Sequence, residues 1–573
     1  MLKNLQPLNI AIIGGGPTSM LMFKSLLEQN DSNISITIYE RKQLLGAGMP
    51  YSRDGALDEH ITNVSSNEIP DLMEPMSEWI YSEDRDTLNR FGLETDRFND
   101  FKVLPRLLFG RYLADQYSSL IKRAKSLGME VTVRYGFEVV DIIDVPEQSV
   151  TRIVHNKGID LFDKVIVCSG HHWPKTHEGK VSGYYDSPYP PAKLAHQTNH
   201  SVAIRGSSLT AIDAIRTLAR ANGKFEKDSE NNIKYLLDQG SPAFKMVMHS
   251  RSGLLPAVRF HLEDSHLSKD AVLSQEEIKL VMAQNEGFLP LDHVFSRNFL
   301  QPLEIADPLF YSQIKGLSIE EFVEKMMNER HAHSAFELLE LELSEADRSI
   351  KNRESVNWKE MLAVLSFAMN YPAKHFSAED MARLKKNLMP LISVVIAFAP
   401  QGSVHELVAL WKAGILDIIS VGEKADVSVN EQNEIYYTYE TEGREVKIKY
   451  ETFVDAIGQP HLEIKDVPYP TLYSSMTISP AMLKFKDQDL GHSHFEDGDE
   501  KVIKYVDGKY YQLVPGIAIN DNFQVLDQYG AANDRIYILA VPYIGGFNPD
   551  FSGLDFGEAA SNRVVGVMFS TNT

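Results

Sequence analysis

Asn9-Ile10-Ala11-Ile12-Ile13-Gly14-Gly15-Gly16-Pro17-Thr18-Ser19 joins an apolar run to a glycine turn and then to a helix-like segment, residues 20–27. Residues of these types in this order can hold a pyrophosphate. The turn presents backbone N–H groups, and the helix behind it adds a positive N-terminal end. Gly14 permits the tight turn, Gly16 leaves room for phosphate against the backbone, and Ser19 fills the third small position. Ser35-Ile36-Thr37-Ile38-Tyr39 predicts a second strand ending in Glu40, where a carboxylate accepts hydrogen bonds from a ribose diol. Strand, turn, helix, strand and acid together point to a dinucleotide site.

A poorer copy of the pattern follows at Ser201-Val202-Ala203-Ile204-Arg205-Gly206-Ser207-Ser208-Leu209-Thr210-Ala211, where only one glycine remains. The next predicted strand, residues 244–249, leads into Ser250-Arg251-Ser252-Gly253. An arginine there can pair with the 2′-phosphate of NADP. The bland alternative is a single-glycine turn beside an exposed arginine, and the sequence leaves both open. Arg106 opens a predicted helix that runs to Ser126, as either a solvated or a ligand-binding cation. Cys168 lies inside the apolar run 165–168 and reads as a small core residue. His171 and His172 are adjacent, so their side chains diverge. The pairs His331/His333 and His492/His494 have metal-ligand spacing only if they lie on strands, and no acidic frame accompanies them. Metal is therefore not expected.

Composition narrows the function classes. The chain has 573 residues, room for roughly three or four domains. Its 57 basic and 79 acidic residues give a net charge of −22, with no basic stripe. Nucleic acid and an anionic membrane surface are unlikely partners on that balance. A single cysteine excludes an internal disulfide and fits a reducing compartment. No leader pattern is visible at the N-terminus, so a cytoplasmic location is the expectation. The longest strongly apolar stretch, residues 388–400, contains Pro390 and is too short to span a bilayer, so it reads as buried core.

The elements that must position these residues follow from periodicity. Residues 130–135, 137–145 and 151–155 read as strands, 162–170 as a buried apolar strand ending in small residues, and Pro188 to Pro191 as a break between domains. From His266 to Met389 the pattern turns helical, with capping serines at Ser274 and Ser318. Residues 401–413 read as a helix, 415–421 as a strand and 434–450 as a polar hairpin. Thr452-Phe453-Val454-Asp455-Ala456-Ile457-Gly458 repeats the apolar-strand-then-small pattern of residues 165–170. A strand at 535–540, the loop 542–551 and a closing helix complete the chain. The fold class is α/β, with two Rossmann-like dinucleotide-binding domains and a helical insertion. The expected domains are residues 1–190 with 460–573, residues 200–265 with 390–460, and a helical cap at 266–389.

With these pieces assembled, the chain resembles the bacterial FAD-NAD(P)-binding family of flavoproteins with two dinucleotide-binding domains, related to flavin-dependent N-hydroxylating monooxygenases. The resemblance rests on Ile13-Gly14-Gly15-Gly16-Pro17 with Glu40, Gly46-Ala47-Gly48-Met49-Pro50-Tyr51, Ile61-Thr62-Asn63-Val64 and Pro105-Arg106-Leu107-Leu108-Phe109-Gly110-Arg111-Tyr112-Leu113. It continues through residues 165–170, Gly206 to Asp213 and Ser250-Arg251-Ser252-Gly253-Leu254-Leu255-Pro256. It implies FAD on the first half-fold, completed by the C-terminal strands, and NADPH or NADH on the second. The implied cofactor-binding residues are Gly14, Gly16, Pro17, Thr18, Ser19, Glu40, Arg41, Gly48, Arg106, Val139, Ser169, Gly170, Gly206, Ser207, Ser208, Arg251, Gly546 and Phe547. Asn63 and Arg106 are the candidates for the reacting centre; Arg106 could contact FAD or an anionic substrate. Two departures stand out: Ser207-Ser208 replaces a second glycine, and Ala540-Val541-Pro542 stands where the family has Gly-Asp.

The function these expectations describe is an FAD-dependent oxidoreductase. NAD(P)H would reduce the flavin, and O2 would then oxygenate a small, amino-acid-like or nitrogen-containing substrate. The alternatives are an oxidase or reductase without oxygen insertion, and an FAD-binding sensory protein with a vestigial second half.

Overall fold

The computed structural model describes residues 7–31, 33–95, 98–229, 232–262, 272–547 and 553–570. Its two main sheets use strands β1 (Leu8–Ile13), β2 (Ile34–Glu40), β3 (Glu130–Tyr135), β4 (Lys164–Val167), β5 (Tyr184–Tyr185), β6 (Ser201–Arg205), β7 (Lys245–Ser250), β8 (Leu416–Ser420), β9 (Thr452–Asp455), β10 (Gln524–Leu526) and β11 (Ala532–Ile538). Six form one sheet in the order β10-β11-β4-β1-β2-β3, parallel except for the β10 edge. Five form an all-parallel sheet in the order β5-β9-β6-β7-β8. The doubly wound α/β fold with a helical insertion is thus what the chain adopts.

Continuous apolar runs explain the central positions. Ile10, Ala11, Ile12, Val165, Ile166 and Val167 are all fully buried, as strands covered by helices on both faces must be. The covering helices are α1 (Pro17–Glu28), α2 (Arg106–Ser126), α3 (Leu209–Asn222), α4 (Gln401–Lys412) and α5 (Gly553–Ser570). The last of these returns from the C-terminal end to α1, where Lys24 pairs with Glu558 at 2.7 Å and Ser25 donates to Asn562 at 2.8 Å. β11 lies parallel to β4, with Tyr537 opposite Ile166, so residues more than 350 positions apart complete one sheet.

The insertion between β7 and β8 is helical, and Ser274 and Ser318 each close a capping box with the glutamate three residues on. The expected start of this region, His266, lies outside the described residues. Two π-helical turns, Ser296–Leu300 and Leu384–Leu388, each precede a helix with proline at its second residue, Pro302 and Pro390. Proline lacks the N–H and crowds the carbonyl one turn back, and a widened turn accommodates both defects. This is how the apolar stretch around Pro390 stays helical with Leu391, Ile392 and Val395 buried. Among the described residues no helix is long and apolar enough to cross a membrane.

Two local expectations meet the structure differently. The strands expected at 137–145 and 151–155 form as Val139–Val145 and Val150–His155 and, with Gly158–Phe162, make a separate antiparallel sheet. His492 and His494 lie on the helix Gln488–Glu496, where neighbours two apart point to different sides, so the strand spacing considered for a metal does not apply.

His249 at the end of β7 stacks 4.0 Å from the Tyr437 ring, with Tyr450 edge-on at 5.5 Å. Burial pushes its imidazole down to about 4, against hydrogen bonds to the Val247 and Ile204 carbonyls. The folded state therefore favours the neutral ring. Its stability contribution is complete above pH ~6.5, the unfolded value, and is lost as pH falls toward 4, by about 3 kcal/mol. Urea unfolding of His249→Phe, run at pH 7 and pH 4.5 beside the parent, should show a weaker pH dependence.

Candidate cofactor site

Gly14 has φ +100°, and a Cβ there would lie 2.8 Å from the Cys168 carbonyl oxygen. Its N–H donates to Tyr39 O at 2.9 Å, which sets the turn across the ends of β1, β2 and β4. Pro17 is the first residue of α1, and no side chain caps this helix, so its leading N–H groups face outward for an anion. Gly16 and Gly48 meet face to face: a Cβ on Gly16 would sit 3.5 Å from the Gly48 Cα. Side chains on either would close the space over the turn. Thr18 approaches Gly557 of α5, and the Ser19 hydroxyl is turned into the core, 2.8 Å from the Tyr117 phenol. Ser19 therefore offers only its backbone. Glu40 accepts from Gly15 N–H at 2.8 Å and Lys42 N–H at 2.7 Å, one bond on each oxygen. Each oxygen keeps a further lone pair for a ribose diol. Ser169 and Gly170 follow β4, and a Cβ on Gly170 would meet open space. Arg41 borders a cleft of about 250 Å³ with Met49, Trp173 and Tyr189. Val139 begins the antiparallel sheet and is half-buried.

A larger cavity of about 420 Å³ opens beyond Tyr51 and Asn63. Asp555 in the first turn of α5 forms one wall. Phe367, Asn370, Met389, Ile392, Ile396 and Phe398, from the insertion and its exit, form another. Phe398 holds φ +37°, an unusual conformation for an aromatic residue, and its ring meets Phe260 edge-on at 5.2 Å. Asn63 sits on the short strand Ile61–Ser65, and its own carbonyl accepts from the Arg259 guanidinium, which also bonds Ser65 and Glu68.

Arg106 does not reach this cavity wall. Its Nη1 pairs with Asp213 of α3 at 2.5 Å, and its Nε donates to Ile61 O at 3.1 Å. Burial opposes the charges, but each ion outweighs that for the other: the guanidinium is held above its ordinary pKa and the Asp213 carboxyl below its own. Gly546 is set by close packing, since a Cβ there would overlap the Pro515 carbonyl oxygen. Phe547 is buried, and residues 548–552 of the same loop lie outside the described residues.

The second turn repeats the first in outline. Gly206 has φ +109°, its N–H donates to His249 O at 2.9 Å, and a Cβ would lie 2.8 Å from Ala456 O. α3 starts at Ser208 without a side-chain cap. Ser207 is spent locally, donating to Leu254 O at 2.7 Å and lying 3.0 Å from the Ser250 hydroxyl. Arg251 is exposed beyond the end of β7.

A protein-family model described as FAD-NAD(P)-binding matches residues 11–172, the span that carries the first turn, Glu40 and Asn63. FAD and a nicotinamide dinucleotide are the chain's cofactors, and the uncapped α1, the facing Gly16 and Gly48, and the free lone pairs of Glu40 fit a flavin dinucleotide at the first turn. A second model, YdhS-like middle domain, matches residues 274–396. The chain is 29% identical over 469 residues to the uncharacterized protein YdhS of Escherichia coli (strain K12), covering 81% of this chain and 85% of that one. Among solved structures it is similar to the ornithine hydroxylase PvdA from Pseudomonas aeruginosa, with TM-score 0.46 and 12% identity over 99% of both chains. The ornithine N-hydroxylase KtzI from Kutzneria sp. 744 gives TM-score 0.45 and 11% identity, over 99% of this chain and 100% of that one.

Around the first turn and the cavity, sequence reasoning missed Asp213, His60, Arg259 and the wall from the insertion. Asp213 did carry a signal: it is a lone acid among Ala211, Ile212, Ala214 and Ile215 on a buried helix. The partners of Arg259 carried none, because Glu68 lies 191 positions away.

Proposed function

We propose that the chain is an FAD-dependent, NAD(P)H-oxidising monooxygenase acting on a small nitrogen-containing substrate in the cavity beneath the helical insertion. The reading rests on one observation: two glycine turns of matched geometry, each backed by the carbonyl of a neighbouring strand end, recur in one chain, at Gly14 and at Gly206. The chemistry bound FAD supplies is two-electron transfer from NAD(P)H and activation of O2. The chain's own part is placement. The N–H groups at residues 14–19 and the α1 terminus counter the pyrophosphate charge, and Glu40 fixes the ribose. Asn63 presents a donor and an acceptor to the cavity, beside the Tyr51 phenol, whose pKa burial pushes up so that it stays protonated. Phe367, Ile392, Ile396 and Phe398 exclude water from the same space. The departure at Ala540-Val541-Pro542 leaves this placement intact, because no part of it depends on an aspartate there.

Anaerobic addition of NADPH to the purified flavoprotein should bleach the flavin band. Readmitting air with an amine substrate should yield oxygenated product in step with NADPH consumed. Stoichiometric peroxide without product would indicate an oxidase or reductase. A flavin indifferent to both NADPH and NADH would favour a sensory flavoprotein.

A further inference from the structure

The strand Ile61–Ser65 carries Asn63 to the cavity, and it is gripped from outside its own domain. Arg106 bonds two successive carbonyls at its start, His60 O through the backbone N–H at 2.9 Å and Ile61 O through Nε at 3.1 Å. The Nε bond depends on where the guanidinium is held, and Asp213 holds it. The Asp213 carboxylate takes Arg106 Nη1 at 2.5 Å and the Tyr189 phenol at 2.7 Å. Its main chain takes a second hold. His60 accepts Leu57 N–H on Nδ1 at 2.9 Å, so the ring is neutral with its proton on Nε2, which donates to Asp213 O at 3.2 Å. Asp213 thus fixes residues 60 and 61 by side chain and by backbone together. It is 4% exposed and His60 is fully buried, so water does not compete for these bonds. Asp213 sits in the second turn of α3, the helix that the Gly206 turn opens.

We infer that Asp213 is a positioning residue. Through Arg106 and His60 it ties α3, at the second dinucleotide turn, to the strand that aims Asn63 into the cavity. A shift of α3 when a dinucleotide binds would be transmitted to Asn63 through charged groups that cannot be left unpaired in this interior. The inference rests on the function proposed above for its consequence, but its mechanical part stands on the ion pair alone.

The test compares the full chain with Asp213→Asn and Arg106→Gln. Hydrogen exchange read by mass spectrometry on the peptide spanning residues 57–68 needs no cofactor. Both substitutions should raise exchange at 61–65 at least tenfold. In the FAD-loaded protein both should slow anaerobic reduction by NADPH tenfold or more and shift the flavin band. The double variant should be no worse than either single one, as expected for two groups acting in series. Asp213→Glu should recover part of the rate, a rescue that a purely structural role would not give. Unchanged exchange at 61–65 with a lowered melting temperature overturns the inference, as do additive effects in the double variant. If either substitution prevents folding, Tyr189→Phe, which removes only one bond to the carboxylate, should give a smaller change of the same kind. No change in that variant also counts against the inference. Failure of the parent protein to bind FAD or react with NADPH would overturn the functional reading instead, and the exchange result would still decide the tie.

Discussion

Gly14→Ala is expected to abolish FAD binding, whereas Gly206→Ala should keep the flavin and lose its reduction by NADPH. The two positions make the same demand on the backbone. Each has a φ near +100°, and each would drive a Cβ to 2.8 Å from a carbonyl oxygen of the strand beside it, Cys168 for Gly14 and Ala456 for Gly206. A left-handed alanine costs roughly 1–2 kcal/mol, and the added crowding of a packed site roughly 1–3 more. The turn must therefore move, and with it the N–H groups proposed to hold the pyrophosphate. At about 1.4 kcal/mol per factor of ten, that corresponds to a loss of roughly 30-fold to 1,000-fold or more in affinity. Flavin titration of the apoprotein reads the first effect, and anaerobic stopped-flow with NADPH reads the second. Gly14→Ala that retained parental FAD affinity would show that the first turn does not carry the pyrophosphate. Gly206→Ala that was reduced at the parental rate would remove the nicotinamide from the second turn.

Glu342→Gln should be among the most destabilising single changes in the helical insertion. The carboxylate bonds Arg330 Nη1 and Lys359 Nζ, each at 2.8 Å, and all three side chains are at most 7% exposed. Removing this carboxylate leaves buried Arg330 short of charge and Lys359 with only Glu345, at 2.7 Å, and breaking such a buried pair costs about 3–5 kcal/mol. Chemical unfolding followed by circular dichroism measures it. Burial opposes ionisation of Glu342, but Lys359 and Arg330 outweigh it and hold the carboxyl below its usual range. The stabilisation is therefore present above the unfolded carboxylate value, about pH 4.3, and lost as pH falls below it. The variant should lose this acid-side dependence. The insertion supplies the apolar wall of the cavity, so the same change should leave FAD affinity largely intact while raising the yield of peroxide.

Features set by neighbours in sequence were legible without the structure. A strand that must be buried on both faces shows itself as Ile10-Ala11-Ile12-Ile13 or Val165-Ile166-Val167. A turn that needs positive φ shows itself as glycine. A helix start shows itself as Ser318 with Glu321. These are local demands, met within a few residues, and they determined the two half-folds, the first dinucleotide turn and the helical character of the insertion. The tertiary structure decided what each charged or polar side chain does with its freedom. Arg106 read equally well as a ligand contact. It is committed to Asp213, 107 positions away, because two buried charges must find each other wherever the packing places them. Ser19 read as a phosphate neighbour, yet its hydroxyl turns inward to Tyr117. Ser207 likewise turns to Leu254. The cavity itself has no sequence signature at all: Asn63, Phe367, Phe398 and Asp555 meet only when the insertion closes over the first domain. Periodicity and backbone conformation are local quantities, whereas pairing and enclosure depend on distances the chain sets only by folding.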